Sequence, residues 1–315
     1  IILGVVKPEW IIILSGILFL DNLWNHHVLL LRAENKPFLY IFFSLGNVIL
    51  TMAFNILLVI KWNLGIEGVL ISNLMASGFI FIASLPVVIK KIKLLHIRSK
   101  VVKKILSFAL PFFPAGIFTM IMELSNRYMI EWFEDTHAVG LFSAGYKLGI
   151  FGLIIVMGFN MGWTPYFLKR VKEKDAKLDF SSIASLFLGF LGFVVVLVSL
   201  WSSEIVRFNI GTYHLIGHNY WDSEKIIPIV LLGYFFFGTY IIQLPGVYSK
   251  KITKWVPIFR AIGAITNIFL NILLIPQYGI VGSACATAVA FLLMSLSIYV
   301  KLYKIYFVRY NWLAL

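Results

Sequence analysis

The stretch NILLVIKWNLGIEG (residues 55–68) places a short polar turn between two long apolar runs. The flanking runs cover about 38–60 and 66–89, and each is long enough to cross roughly 30 Å of hydrocarbon as an α-helix. A helix satisfies its own backbone hydrogen bonds, which a segment surrounded by lipid must do. The rest of the chain has the same character, because 60% of its 315 residues are hydrophobic and only 13% are charged. We therefore predict an all-α membrane protein.

Nine apolar runs predict nine transmembrane helices joined by short connections. They cover about 9–31, 38–60, 66–89, 105–132, 138–166, 180–202, 226–248, 256–275 and 280–302. The first run is the most polar, because it contains Asp21, Asn25 and the pair His26–His27, which need protein neighbours rather than lipid. The single cysteine, Cys285, lies among small residues and is interpreted as a packing residue.

The connections alternate in charge, and this alternation predicts the orientation. Most of the 27 Lys and Arg residues fall in one alternate set of connections, chiefly 90–104, 169–177 and 249–254, and near the C-terminus. Short basic loops stay in the cytoplasm, so we predict that these segments and the C-terminus are cytoplasmic and that His214 is periplasmic. The basic runs lack the interleaved aromatic residues of a nucleic-acid-binding surface, so no nucleic-acid partner is predicted.

An internal repeat sets the domain organisation. Residues 55–68 align with NILLIPQYGIVG (271–282), and upstream 32–42 align with 249–259. Both copies enter the membrane in the same direction, which is typical of two lobes related by an axis along the membrane normal.

Each copy consists of a helix, a basic turn, a helix, a short outer turn and a helix. Three predicted helices precede the second copy, whereas none precedes the first. We predict three parts: 1–89 holds the last three helices of an incomplete N-terminal lobe, 90–104 is a basic cytoplasmic linker, and 105–315 is a complete six-helix lobe.

Five stretches carry a family resemblance in their order and spacing. They are LPFFPAGIF (110–118), SNRYMIEWFEDTHAVGLFSAGYKLG (125–149), GFNMGWTPYF (158–167), YWDSEKIIPIVLLGYFFFGTY (220–240) and NIFLNILLIPQYGIVGSACAT (267–287). The chain resembles Wzx-type polysaccharide flippases, a branch of the superfamily that includes lipid II flippases and MATE multidrug exporters. The resemblance runs from the fourth family helix to the twelfth and implies that the first three are missing. One departure is Asn126–Arg127, where the family often has Asp-Arg.

The resemblance implies a multi-pass protein of the bacterial inner membrane that flips an undecaprenyl-pyrophosphate-linked oligosaccharide by alternating access. No cofactor is implied, and the process makes or breaks no bond. The implied partners are the lipid-linked oligosaccharide, the membrane lipids and a coupling proton or sodium ion.

Two other functions stay open. A MATE-like cation-coupled drug exporter is disfavoured by the basic bias of the intramembrane charges. A membrane glycan polymerase or ligase is disfavoured because the longest outer loop, about 203–225, is short and holds no convincing catalytic constellation. We predict no metal site, since His214 and His218 lack further ligands.

Four cations are the candidate substrate-binding residues. They are Arg127, Lys147, Arg260 and Arg32. Lys147 is about ten residues into its helix, roughly 15 Å deep, where a charge is costly unless it faces protein or water. Cations in a dehydrated cavity suit a pyrophosphate. For Arg127, Arg260 and Arg32, snorkelling to a membrane surface is the alternative.

Two carboxylates complete the candidate site. Glu123 is four residues before Arg127 and on the same helix face, so it is expected to pair with that guanidinium. Asp21, isolated in the first span, is a candidate for binding the coupling ion, with hydrogen bonding to a neighbouring helix as the alternative.

The predicted orientation is testable by cysteine labelling in intact cells after Cys285→Ser. A membrane-impermeant maleimide should modify His214→Cys from outside, because that position is predicted to be periplasmic. His96→Cys, in the basic linker, should react only after permeabilisation. Labelling of position 96 from outside would contradict the orientation.

Overall fold

The computed structural model describes residues 7–34, 36–89, 99–210, 213–214 and 216–308. The chain divides into two compact units, Ile1–Arg98 and Ser99–Leu315. The dividing point lies inside the predicted linker 90–104, of which 90–98 fall outside the described residues.

The first unit contains three long helices. They are α1 (Pro8–Ala33), α2 (Pro37–Asn55, continued by a π-helical turn Ile56–Lys61) and α3 (Gly65–Ile89). A small apolar core of Trp24, Val28, Leu31, Phe43 and Ile80 holds the three together. Most other apolar side chains of this unit are exposed, as expected for helices that face lipid.

The second unit contains the remaining elements. The helices are α4 (Ser99–Ala109), α5 (Phe112–Phe133), α6 (Thr136–Arg170), α7 (Ala176–Leu200), α8 (Ser202–Val206), α9 (Ile227–Ser249) and α10 (Val256–Tyr303). A two-residue antiparallel pair, β1 (Asn209–Ile210) with β2 (Tyr213–His214), and 3-10 turns at His218–Ile226 and Thr253–Trp255 complete it. Helix α9 is the centre of the unit, because it packs against α6, α7 and α10.

The all-α, multi-pass class is confirmed. Within the described residues, seven helical stretches are long and apolar enough to cross a membrane. The last of them, Thr253–Tyr303, is divided at Gly279, so the seven stretches hold eight of the nine predicted spans. The first predicted span forms α1, which is not among the seven.

The predicted span 105–132 lies within the apolar stretch Val101–Phe133, which is divided into two helices near its start. The chain breaks at Leu110–Pro111, between α4 and α5, because proline cannot continue the hydrogen-bond ladder of the preceding helix. Helix α4 is strongly amphipathic, and its apolar residues Val101, Ile105 and Leu106 are exposed. Such a helix suits the plane of the membrane interface rather than its interior.

The two repeat segments share a local geometry. Gly65 and Gly279, aligned in the repeat, both have φ near +54°, a conformation that favours glycine, and each follows the turn of a helix hairpin. Three residues later, Gly68 packs on the backbone of Leu58, and Gly282 packs on the backbone of Leu274. Leu58 and Leu274 are themselves aligned residues of the NILL run, so both copies close the hairpin in the same way.

The close contact at Gly282 predicts a graded loss of stability. A Cβ at Gly282 would overlap the Leu274 carbonyl oxygen, whereas one at Gly68 would lie 3.2 Å from that of Leu58. We expect Gly282→Ala to lower the free energy of unfolding by about 1–3 kcal/mol, because backbone must shift. Gly68→Ala should cost less. Thermal unfolding in detergent measures both effects.

Gly158→Ala is the matched control for this series. Apart from the adjacent residues and the backbone of its own helical turns, no atom lies within 4 Å of the position of its Cβ, so the substitution should be neutral or slightly stabilising. Equal stability of Gly282→Ala and Gly158→Ala would contradict the proposed hairpin contact.

Candidate functional site

Arg127 is held inside the span rather than at its edge. It lies about six residues, or roughly 9 Å, before the end of α5. Its Nη1 donates a hydrogen bond to the Glu123 carbonyl oxygen (3.2 Å), one turn further from that end. Side chains on a helix lean towards its N-terminus, so the guanidinium lies deeper than its own Cα. The hydrogen bond therefore directs the guanidinium away from the nearer end of α5, and the cavity role of Arg127 stays a prediction.

A buried tyrosine pair lies behind Arg127. The Arg127 Cζ is 5.6 Å from the centroid of the Tyr146 ring, a distance typical of a cation–π contact. The Tyr234 hydroxyl donates to the Tyr146 oxygen at 2.7 Å, and both side chains are buried. Sequence reasoning missed both tyrosines, because they are 88 residues apart and lie on different helices.

The tyrosine pair depends on close packing of α6 against α9. A Cβ at Gly145 would lie 2.5 Å from Ile226 Cγ1, and one at Gly149 would lie 2.5 Å from Val230 Cγ1. These two glycines therefore bring the helices near enough for Tyr146 and Tyr234 to meet. The tyrosine on which Arg127 rests is therefore part of the hydrophobic core of the second unit.

The predicted pairing of Glu123 with Arg127 does not appear among the ion pairs of the residues that the structure describes. Glu123 is exposed, and in the part of the chain that the structure describes no carboxylate lies within 4 Å of the Arg127 guanidinium. The four-residue spacing does place the two residues on one face. Arg127 uses the backbone carbonyl of Glu123 and the ring of Tyr146 instead.

Lys147 stands about eleven residues into α6, roughly 17 Å from its start. It is exposed, and across 99–210 and the other described ranges its ammonium has no hydrogen bond or ion pair. A lone ammonium at that depth would cost several kcal/mol if it faced hydrocarbon. The face of the second unit that carries Lys147 is therefore expected to meet water or an anion.

Arg260 connects two helices of the second unit. Its Nη1 donates to Thr119 Oγ1 (2.5 Å) and to the Ala115 carbonyl oxygen (3.4 Å), and the side chain is half-buried. The guanidinium is therefore directed at α5 rather than at the membrane surface. This contact gives Arg260 a structural role that its position in the sequence did not predict.

Asp21 and Arg32 both belong to α1. Trp24 Nε1 (2.9 Å) and Ser77 Oγ (2.6 Å) donate to Asp21 Oδ1, and the side chain is half-buried. The Trp24 bond lies within α1, whereas the Ser77 bond connects α1 with α3, as in the structural alternative for this carboxylate. Two turns along the same interface, His27 Nδ1 is 2.8 Å from Ser84 Oγ. Arg32 is near the end of α1, and its side chain lies outside the described residues.

A buried amide cluster explains the departure at Asn126. The Asn126 amide nitrogen donates to Thr287 Oγ1 (2.9 Å), while its oxygen accepts from Asn267 Nδ2 (3.1 Å) and Asn271 Nδ2 (2.8 Å). All four side chains are at least 95% buried. An aspartate could not donate to Thr287, so an asparagine fits this site through both of its polar atoms.

The fold and these intramembrane charges define the class, a polytopic helical membrane protein that keeps cations inside its spans. The chain belongs to the family described as "Polysaccharide biosynthesis protein", whose model matches residues 11–171.

The chain is also similar to curated proteins called multidrug export protein MepA from Staphylococcus aureus. The identity is 26% over 203 residues, which covers 61% of this chain and 43% of the relative. The chain therefore spans less than half the length of these relatives.

Solved transporter structures share the fold. A MATE transporter of Vibrio cholerae, the VcmN D35N mutant, superposes with a TM-score of 0.74 at 15% identity, covering 92% of this chain and 67% of that chain. The lipid II flippase MurJ in an inward closed conformation gives 0.70 at 20% identity, with coverage of 94% and 62%. At these identities the likeness concerns the fold alone.

Removal of Arg260 and removal of Lys147 are predicted to differ in their effect on stability. Arg260→Gln removes a charged donor from Thr119 and Ala115, so we expect the free energy of unfolding to fall by about 1.5–3 kcal/mol. Lys147→Gln removes no contact and should leave the melting temperature in detergent unchanged. If both variants melt like the parent chain, Arg260 does not hold α5 to α10.

Proposed function

We propose that the chain is part of a flippase for lipid-linked oligosaccharides in the bacterial inner membrane. Its substrate would be an undecaprenyl-pyrophosphate-linked glycan, carried by alternating access with no bond made or broken. The observation that carries the proposal is the pair Arg127 and Lys147. Both lie well inside the span, and neither has a carboxylate within 4 Å among the residues the structure describes. The substrate pyrophosphate supplies the missing anion.

Arg127 and Lys147 suit different steps in the movement of the substrate phosphate. Arg127 presents a planar guanidinium whose back rests on Tyr146, which leaves its other edge for phosphate oxygens. Lys147 offers a mobile point charge deeper in the span. A phosphate that exchanges one cation for the other is never left unpaired in low dielectric, where an isolated charge is most costly. We propose that the face bearing these residues lines the substrate path.

The comparisons support only the general class of substrate, a glycan linked to a lipid. The description of the matching family names polysaccharide biosynthesis, and one protein of similar fold is called a lipid II flippase. The cationic character of the site agrees with a pyrophosphate carrier. Binding of the substrate by Arg32 at the cytoplasmic entrance stays a prediction. Arg260 is hydrogen-bonded to α5, so it would bind the substrate there only through its remaining N–H donors.

A second candidate is a cation-coupled drug exporter. The similarity to multidrug export proteins favours it, and so does Asp21, a carboxylate inside a span. Asp21 is also the group that we propose for a coupling proton or sodium ion, because only its Oδ1 is engaged by protein donors within the described ranges. The two candidates thus share a coupling site but differ in the charge of their substrate.

The proposal predicts loss of transport when either cation is removed. In the full-length protein, Arg127→Ala and Lys147→Ala should each lower surface glycan by about tenfold or more, since a charged contact is worth about 1.5–3 kcal/mol. Arg127→Lys should retain part of the activity. The measurement is complementation of a flippase-deficient strain, with protein abundance in the membrane checked for every variant.

Lys174→Ala is the matched control, because it removes an exposed cation of the same unit from a loop between α6 and α7. It should complement fully. Full complementation by both Arg127→Ala and Lys147→Ala would rule out the cation pair. Raised sensitivity to cationic drugs, with unchanged surface glycan, would instead identify the exporter.

A further inference from the structure

A groove opens between the far ends of the two arms of α10. The arms, 256–278 and 280–303, meet at Gly279, and their other ends lie close enough to line one pocket together. There a groove of about 440 Å³ is lined by Ile258, Phe259, Ile262, Val300 and Ile305, with Trp255 at one end. Ile258, Val300 and Ile305 are exposed, so the groove is open along the side that faces away from the core.

The groove lies at membrane-surface depth. Ile258 and Val300 are each about twenty residues from Gly279, which is roughly 30 Å along a helix. That distance matches the thickness of the hydrocarbon layer, so the groove begins at the interface opposite Gly279. Trp255, at its mouth, is the residue type that anchors helices at this level.

Two lysines stand at the mouth of the groove. Lys301 Nζ lies 3.6 Å from the centroid of the Trp255 ring, which holds the ammonium at the end of the apolar lining. Lys304 lines the same end and is exposed. Neither lysine has a carboxylate within 4 Å in the part of the chain that the structure covers. The mouth is therefore positively charged without a protein counter-ion.

We propose that this groove binds an anionic phospholipid. The phosphate would pair with Lys301 and Lys304, and one acyl chain would follow the apolar lining past Ile258 and Ile262. The basic mouth is complementary to the phosphate of this lipid, and the open apolar groove is complementary to its acyl chain. A free phosphate would use the lysines alone. The site belongs to one unit and does not depend on what the protein transports.

Native mass spectrometry of the full chain tests the assignment. The chain is released from detergent with equimolar phosphatidylglycerol and phosphatidylcholine of matched acyl chains. The parent chain should retain phosphatidylglycerol selectively, because only this lipid carries net negative charge. The double variant Lys301→Gln/Lys304→Gln should lower that retention by about fivefold or more. Its thermal unfolding without added lipid checks that it is folded.

The matched control is Lys250→Gln/Lys251→Gln, which removes the same charge from the exposed turn before α10, outside the groove. It should keep the preference for phosphatidylglycerol. Equal losses in the two double variants would mean diffuse attraction to a basic surface and would overturn the site.

A groove-filling variant tests the acyl chain separately. Val300→Trp keeps both lysines and places a bulky side chain at an exposed position of the lining. It should lower phosphatidylglycerol retention, whereas soluble glycerol phosphate should not displace the lipid from the parent chain. Unchanged retention in Val300→Trp, or full displacement by glycerol phosphate, would overturn the lipid assignment.

Discussion

The hydrogen bonds of Asn126 fix the arrangement on which the candidate site depends. In hydrocarbon no water can satisfy a polar group, so the side chains of Asn126, Asn267, Asn271 and Thr287 pair with one another. Because this cluster joins α5 to both arms of α10, it sets the rotation of α5 about its own axis. The next residue, Arg127, is thereby turned about 100° away from the cluster and towards α6, where the ring of Tyr146 receives it.

The spans and the hairpin turns could be predicted from the sequence because they depend on local chemistry. The NILL runs and the Gly-Ile-x-Gly turns recur, and the structure gives Gly65 and Gly279 the same left-handed conformation. Pro111 gave a local signal for the break at Leu110–Pro111, but not for two separate helices. Apolar residues continue on both sides of that break, so hydrophobicity alone could not separate the interfacial helix α4 from the spanning helix α5.

The candidate site was less predictable, because its contacts join distant parts of the chain. The depth of Lys147 follows from counting residues along one helix. The partner of Arg260 does not, since Thr119 is 141 residues away, and neither does the pairing of Tyr146 with Tyr234. Spacing along α5 predicted that Glu123 would neutralise Arg127, but spacing cannot weigh a carboxylate against an aromatic ring supplied by another helix.

The partner of each intramembrane cation indicates its role. Arg260 donates hydrogen bonds to Thr119 and Ala115 and so holds α10 to α5. A hydrogen bond is electrostatically stronger in a low-dielectric interior than in water. Lys301 rests on Trp255 at the interface, where water and lipid phosphates supply its counter-ion. Arg127 contacts an aromatic ring and donates to one carbonyl oxygen. Lys147 has no hydrogen-bond or ion-pair partner in the described ranges. Cations at that depth are costly to keep, and we propose that Arg127 and Lys147 are retained because they meet the phosphate groups of the substrate.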